Sequence, residues 1–166
     1  MRQSKRPRDG IAVHGFFRLR LTEGKGDEND RIVGDSGWKR NAIPNEGFDD
    51  FLCRLIAAQA SSKQISYVAL GTGTAPGAGD TTLNGEISGS TKKQTVTVSV
   101  SGSKTVRFTA TFYSSDSFLG GASTLRNIGL YDASGTNASL FAGNTYTTSS
   151  CDTNQNVQIT YDIQFS

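Results

Sequence analysis

A chain of 166 residues with 19 glycines and three prolines is long enough to bury one core without disulfide staples, and its abundant Gly, Ser and Thr suit short strands joined by tight turns. A formal charge of +2 excludes a polyanion-binding surface spread over the whole molecule. Cys53 and Cys151 supply no disulfide framework, and a single histidine, His14, excludes a histidine-based metal cluster within one chain.

Arg2, Lys5, Arg6 and Arg8 crowd the first ten residues, whereas no Lys or Arg follows Arg126. Residues 1–12 are expected to form a flexible basic arm, because Pro7, Asp9 and Gly10 oppose regular structure, and residues 13–166 a single domain. The arm reads either as a solvated terminus or as a segment that orders on a neighbouring subunit or on nucleic acid. No apolar run follows the basic start in the manner of a secretory signal. The longest apolar-rich stretch, Phe48 to Ala60, is interrupted by Asp49, Asp50 and Arg54 and is too short to span a bilayer, so a soluble protein with no membrane partner is expected.

Phe17, Leu19 and Leu21 alternate with Arg18 and Arg20, the two-residue period of a half-buried strand. Gly24 to Asp30 is a polar turn, and Arg31-Ile32-Val33 begins a return strand that breaks at Gly34 to Gly37 and resumes at Trp38 to Arg40. A glycine inside a strand often marks a bulge. The period then changes. Phe48, Phe51, Leu52, Leu55 and Ile56 follow the spacing of one amphipathic α-helical stripe, which predicts a short helix near 46–59 with Asn45 as N-cap and its stripe on the core.

Ile65 to Leu70 is a further strand. Gly71-Thr72-Gly73-Thr74-Ala75-Pro76-Gly77 lacks the Lys-Ser/Thr pair of a phosphate loop and the third glycine of a dinucleotide fingerprint, and reads as a long turn. Val96, Val98 and Val100 alternate, as do Val106, Phe108, Ala110 and Phe112. Only a three-residue loop, Gly102-Ser103-Lys104, sets Val100 opposite Val106, Val98 opposite Phe108 and Val96 opposite Ala110, with Gly102 or Ser103 left-handed. Strands at 125–131 and 140–146 flank the turn 132–137, the loop Thr147 to Asn156 follows, and Val157 to Phe165 alternates without a fault. The fold class is mainly β: an antiparallel, jelly-roll-like β-sandwich of about eight strands with one short amphipathic helix.

No constellation of catalytic residues stands out. No Gly-x-Ser-x-Gly elbow accompanies His14, and the adjacent pairs Asp49-Asp50 and Asp27-Glu28 sit at a helix start and in a polar turn. Asp132 and Asp162 lie too far apart in sequence to be paired by spacing, although a glycosidase needs two facing carboxylates. Arg18, Arg20, Lys39 and Arg40 with Phe16, Phe17 and Trp38 resemble a nucleic-acid surface in composition. The alternation turns Phe17 inward, however, and Glu23, Asp27, Glu28, Asp30 and Asp35 dilute the positive field. A non-enzymatic protein with no catalytic residue, cofactor or metal is expected, with Arg2, Lys5, Arg6 and Arg8 as its candidate partner-contact residues.

Three segments carry a family resemblance. Asn41-Ala42-Ile43-Pro44-Asn45-Glu46-Gly47 resembles an N-x-[IV]-x-[ND]-x-G opening found in a group of tailed-bacteriophage virion proteins. Val68-Ala69-Leu70-Gly71-Thr72-Gly73-Thr74-Ala75-Pro76, followed by Asp80-Thr81-Thr82-Leu83, is similar to their ALGTGT-x-x-P…DT-x-L segment, and Arg126-Asn127-Ile128-Gly129-Leu130-Tyr131-Asp132 to their R-x-[IV]-G-L-[YF]-[DN] strand. The resemblance runs from about Phe17 onwards and leaves the arm out. It implies a non-enzymatic virion component, either a head decoration (cement) protein or a tail or tail-fibre part, assembled in a bacterial cytoplasm.

A sandwich with an arm suits the cement role, since an arm adds a second, linked contact. The expected partners are then the major capsid protein and copies of the chain itself, as a homotrimer at a local threefold position. A receptor-binding tail module, using exposed loops such as Thr145 to Asn156, is the alternative, and a small nucleic-acid-binding protein the second alternative.

Overall fold

The computed structural model describes residues 12–27, 29–87 and 92–166, with backbone alone at 148 and 149. Arg2, Lys5, Arg6 and Arg8 of the expected arm, and Glu28, lie outside the described residues. Two antiparallel sheets pack face to face as a β-sandwich. The strands are β1 (Val13–Glu23), β2 (Arg31–Asp35), β3 (Lys39–Arg40), β4 (Tyr67–Gly71), β5 (Lys93–Thr95), β6 (Thr97–Val100), β7 (Thr105–Phe112), β8 (Ser123–Tyr131), β9 (Leu140–Cys151) and β10 (Asn156–Phe165).

The first sheet runs β2-β1-β10-β7-β6, with β3 also on β1, and the second runs β5-β4-β8-β9. The strictly alternating β10 lies between β1 and β7, with Phe17 opposite Tyr161 and Tyr161 opposite Phe108. Val157, Ile159, Tyr161 and Ile163 all point inward and are buried. Phe17 stacks on Tyr161 at 5.6 Å and meets Tyr146 of β9 edge-on at 6.1 Å, so the two sheets share one aromatic centre. Burying each such side chain stabilises the fold by about 1.5–3 kcal/mol.

The two sheets join at both edges. Val96 lies between β5 and β6, where the chain leaves the second sheet for the first, and its N–H donates to Ser66 O at 3.0 Å. On the far side the segment after β3 crosses the other way, with Ala42 and Gly143 exchanging N–H···O bonds of 3.0 and 2.9 Å. The sandwich is therefore a flattened, nearly closed barrel.

Several expectations need correction. Ten strands replace about eight, because β5 (Lys93–Thr95) forms in the other sheet ahead of the strand expected from Val96, and β3 is a separate short strand. The 102–104 loop and its register are as expected: Val100 pairs Val106, Val98 pairs Phe108, Ser101 N–H bonds Thr105 O, and Gly102 has φ +81°. The ladder nevertheless ends at Thr97–Thr109, so Val96 does not pair Ala110. The bulge falls in β2, where Val33 is the extra residue beside Gly34.

The helix occupies 45–56 and ends before Gln59, with Ala58 at φ 50°. It is α-helical at Asn45 and Glu46, π-wound over Gly47–Cys53 and α-helical again over Arg54–Ile56. Winding by i→i+5 turns an α-spaced stripe off axis. Phe51 alone is fully buried, Leu52 is half-buried, and Phe48, Leu55 and Ile56 are exposed. Asn45 makes no side-chain cap; its backbone N–H bonds Ala78 O at 2.9 Å. The expected loop from Thr147 is largely the second half of β9, which ends at a buried Cys151.

Candidate functional site

The three segments that carry the resemblance meet in one place. Strand β4 pairs β8 so that Ala69 faces Gly129, Leu70 faces Ile128 and Gly71 faces Asn127. The irregular chain from Thr72 to Glu86 folds back over this pair. The buried Asn127 amide donates to Thr74 O at 2.8 Å and Asn84 O at 2.9 Å, holding both arms of that segment. Asn45 reaches the same segment through Ala78, and Gly47 packs so closely on β9 that a Cβ there would collide with Phe141 O. Asn41 donates from its side chain to the Tyr161 hydroxyl. These residues do structural work: glycines where backbones touch and amides where loop carbonyls need a donor.

Two charged clusters lock the loops to this frame. Lys93 is 7% exposed at its side chain, 2.9 Å from Glu86 and 4.3 Å above the Tyr131 ring centroid. Burial, then the Glu86 carboxylate, push the Tyr131 phenol well above its ordinary range. It therefore stays protonated, donates to Glu86 and accepts the Leu83 N–H at 2.7 Å. Beneath the helix, Lys63 lies 2.7 Å from Asp50 and 3.3 Å from Glu46 and also bonds Ser139. Burial works against the Lys63 charge, but the two carboxylates outweigh it and its pKa is raised. Lys63 also lines an apolar cleft, and Glu46 Oε2 is buried without a hydrogen-bond partner among the described residues.

The other groups weighed from the sequence are separated from one another. His14 Nδ1 lies 3.4 Å from the Arg40 guanidinium, beside a small polar pocket. Asp162 holds Arg107 through two bonds of 2.8 Å, whereas Asp132 accepts the Ser139 N–H at 2.7 Å. Asp50 is engaged by Lys63 and Arg54, and Asp27 accepts the Asn29 N–H. Arg18 and Arg20 point outward as the alternation requires, but both are turned onto Asp35. Phe17 is buried, and exposed Trp38 lies against Arg107 at 6.0 Å. Among the described residues, no three His, Cys, Asp or Glu side chains stand close enough together to hold a metal ion. Both cysteines are free, Cys53 exposed and Cys151 buried.

What the sequence did not disclose is an open end of the core. A cleft of about 370 Å³ separates the helix from β6 and β7, with Phe108, Phe141, Ile163 and Phe165 among the residues that line it and Leu55 and Val98 on its walls. Leu55, Ile56, Val98 and Val100 are 58%, 85%, 53% and 79% exposed. The alternation of Val98 and Val100 and the helical spacing of Leu55 and Ile56 signalled burial, which the π-winding of the helix and a β6 edge left uncovered among the described residues reverse. The chain matches no family model, no curated protein and no solved structure.

Proposed function

We propose that the protein is a non-enzymatic structural component of a tailed-bacteriophage virion, and within it a cement protein that bridges neighbouring capsomers of the head. The observation that carries the reading is the convergence of the three resembling segments on one packed knot. Their order in the sequence corresponds to a single spatial unit, β4–β8 with the folded-back 72–86 segment and the 41–47 crossover. A frame of this kind presents surface and does no chemistry of its own.

Two further features support the cement role. The rigid, nearly closed sandwich bears an open apolar end, and the basic residues Arg2 to Arg8 precede β1, whose start pairs with the end of β10 beside that opening. One body contact and one arm contact on different subunits reinforce each other through effective concentration. The partners on this reading are the major shell protein and further copies of the chain.

Quantitative protein composition of intact particles tests it. Copy numbers near those of the major shell protein, with the chain in head fractions, are expected. Recovery only in tail fractions at a handful of copies overturns the cement role and favours the tail component. Deleting residues 1–11 should reduce retention on heads while leaving the folded domain intact.

A further inference from the structure

We propose that β6 is a self-pairing edge: two copies join β6 to β6 antiparallel and close each other's open core end. The pairing does not depend on the cement reading, since a tail component would carry the same edge.

Edge strands in folded proteins are ordinarily protected by an inward charge, a proline, a bulge or a covering segment. Thr97-Val98-Ser99-Val100 has no charge and no proline, pairs β7 in unbroken register, and is exposed at all four residues. Both valines lie on the inner face, since Val98 is opposite buried Phe108 and Val100 opposite Val106. Between Val98 and the helix lies the apolar cleft, with Lys63 and Gln64 its polar lining among the described residues. The edge backbone and the cleft thus need one and the same cover, an extended apolar strand.

The size of the patch fits a second copy. Leu55 and Val98 face each other across the cleft and Ile56 and Val100, next along the helix and strand, are exposed, so apolar surface, edge backbone and cleft mouth are all open for the ~800 Å² that each partner gives a standard interface. The strand that edge and cleft call for is extended and apolar, which another copy's β6 is, whereas the sequence of residues 1–11 offers Met1 and Ile11 as its large apolar side chains beside four cations. Charge also permits self-pairing. Antiparallel order brings the exposed Lys104 turn of one copy towards the Gln94 end of the other, where Lys92, bonded to Ser117 O at 2.7 Å, and exposed Asp116 offset each other and leave no like-charge barrier among the described residues. Antiparallel pairing of a strand with itself has two-fold symmetry, so the expected state is a dimer where threefold capsid symmetry alone implies a trimer.

Sedimentation velocity of the full chain over a micromolar concentration series tests the pairing. A species of twice 17.7 kDa is expected. Val98→Lys and Val100→Lys should each weaken association by more than about tenfold, as an edge charge does. Ile32→Lys, at an exposed apolar site on β2, should leave it unchanged. Hydrogen exchange on the unaltered chain provides a reading free of folding effects: amides of β6 should gain protection with concentration while those of β2 do not. A monomer at every concentration, a trimer, or a dimer with unchanged β6 exchange overturns the proposal.

Discussion

Asp35 shows how much of this surface is decided by single side chains. Alternation places Arg18 and Arg20 outside, where a basic strip is expected, yet Asp35 accepts from Arg18 and lies 3.4 Å from Arg20. The Arg18 hydrogen bonds, with help from the Gly37 N–H and the two cationic charges, hold the Asp35 carboxyl at about 2, below its ordinary 3.8. A depressed acid pKa stabilises the fold above the ordinary value and loses that contribution as pH falls towards 2. Denaturant titrations between pH 5 and pH 2 should therefore show a stability loss that Asp35→Asn reduces. An unchanged profile in the variant would mean that the pair contributes nothing. High salt should shrink the effect, because the pair is partly exposed.

At the scale of elements, the segment from Thr72 to Glu86 has no regular hydrogen-bond ladder of its own and is held by side chains from β8 and β5 together with scattered backbone bonds, such as Leu140 N–H to Thr81 O and Asn45 N–H to Ala78 O. Asn127→Ala removes the donor to the Thr74 and Asn84 carbonyls, which belong to exposed residues that water can reach, at a net cost of about 1–3 kcal/mol for two hydrogen bonds. Urea unfolding should register that loss, and amide exchange should rise over 72–87 before it rises in β10. If exchange stays uniform, the amide is not what holds the loop. The helix teaches a different lesson. Its apolar spacing is α-helical, but Gly47 must fit against Phe141 O while Asn45 reaches Ala78, and the chain meets both contacts as a π-turn. Periodicity carries no information about such distant fixed points, so the element was legible while its winding and buried face were not.

For the whole molecule, the joins at Val96 and Ala42 make the two sheets one cooperative body. Strand β1 pairs β10, so the chain ends must meet before the first sheet exists. Non-local pairing of this kind sets folding at about milliseconds to seconds. Unfolding should be a single transition, with far-UV circular dichroism and the near-UV signal of buried Tyr131, Tyr146 and Tyr161 coinciding. Separate transitions would mean that one sheet survives without the other. The oligomeric state belongs to this scale too, since dimerisation would make the midpoint rise with protein concentration.

The sequence by itself determined most of the strands, their inward faces and the 102–104 turn, because a two-residue period and a register rule act over a few neighbouring residues; β5 and the second half of β9 it did not. It also supplied the segments whose resemblance frames the functional reading. Only the tertiary structure decided that Val96 changes sheets, that Cys151 is buried in a polar-looking stretch, and that Val98, Val100 and Leu55 stand uncovered. Whether an apolar side chain meets a core depends on what the rest of the chain lays over it. At the β6 edge this chain lays nothing over it among the described residues.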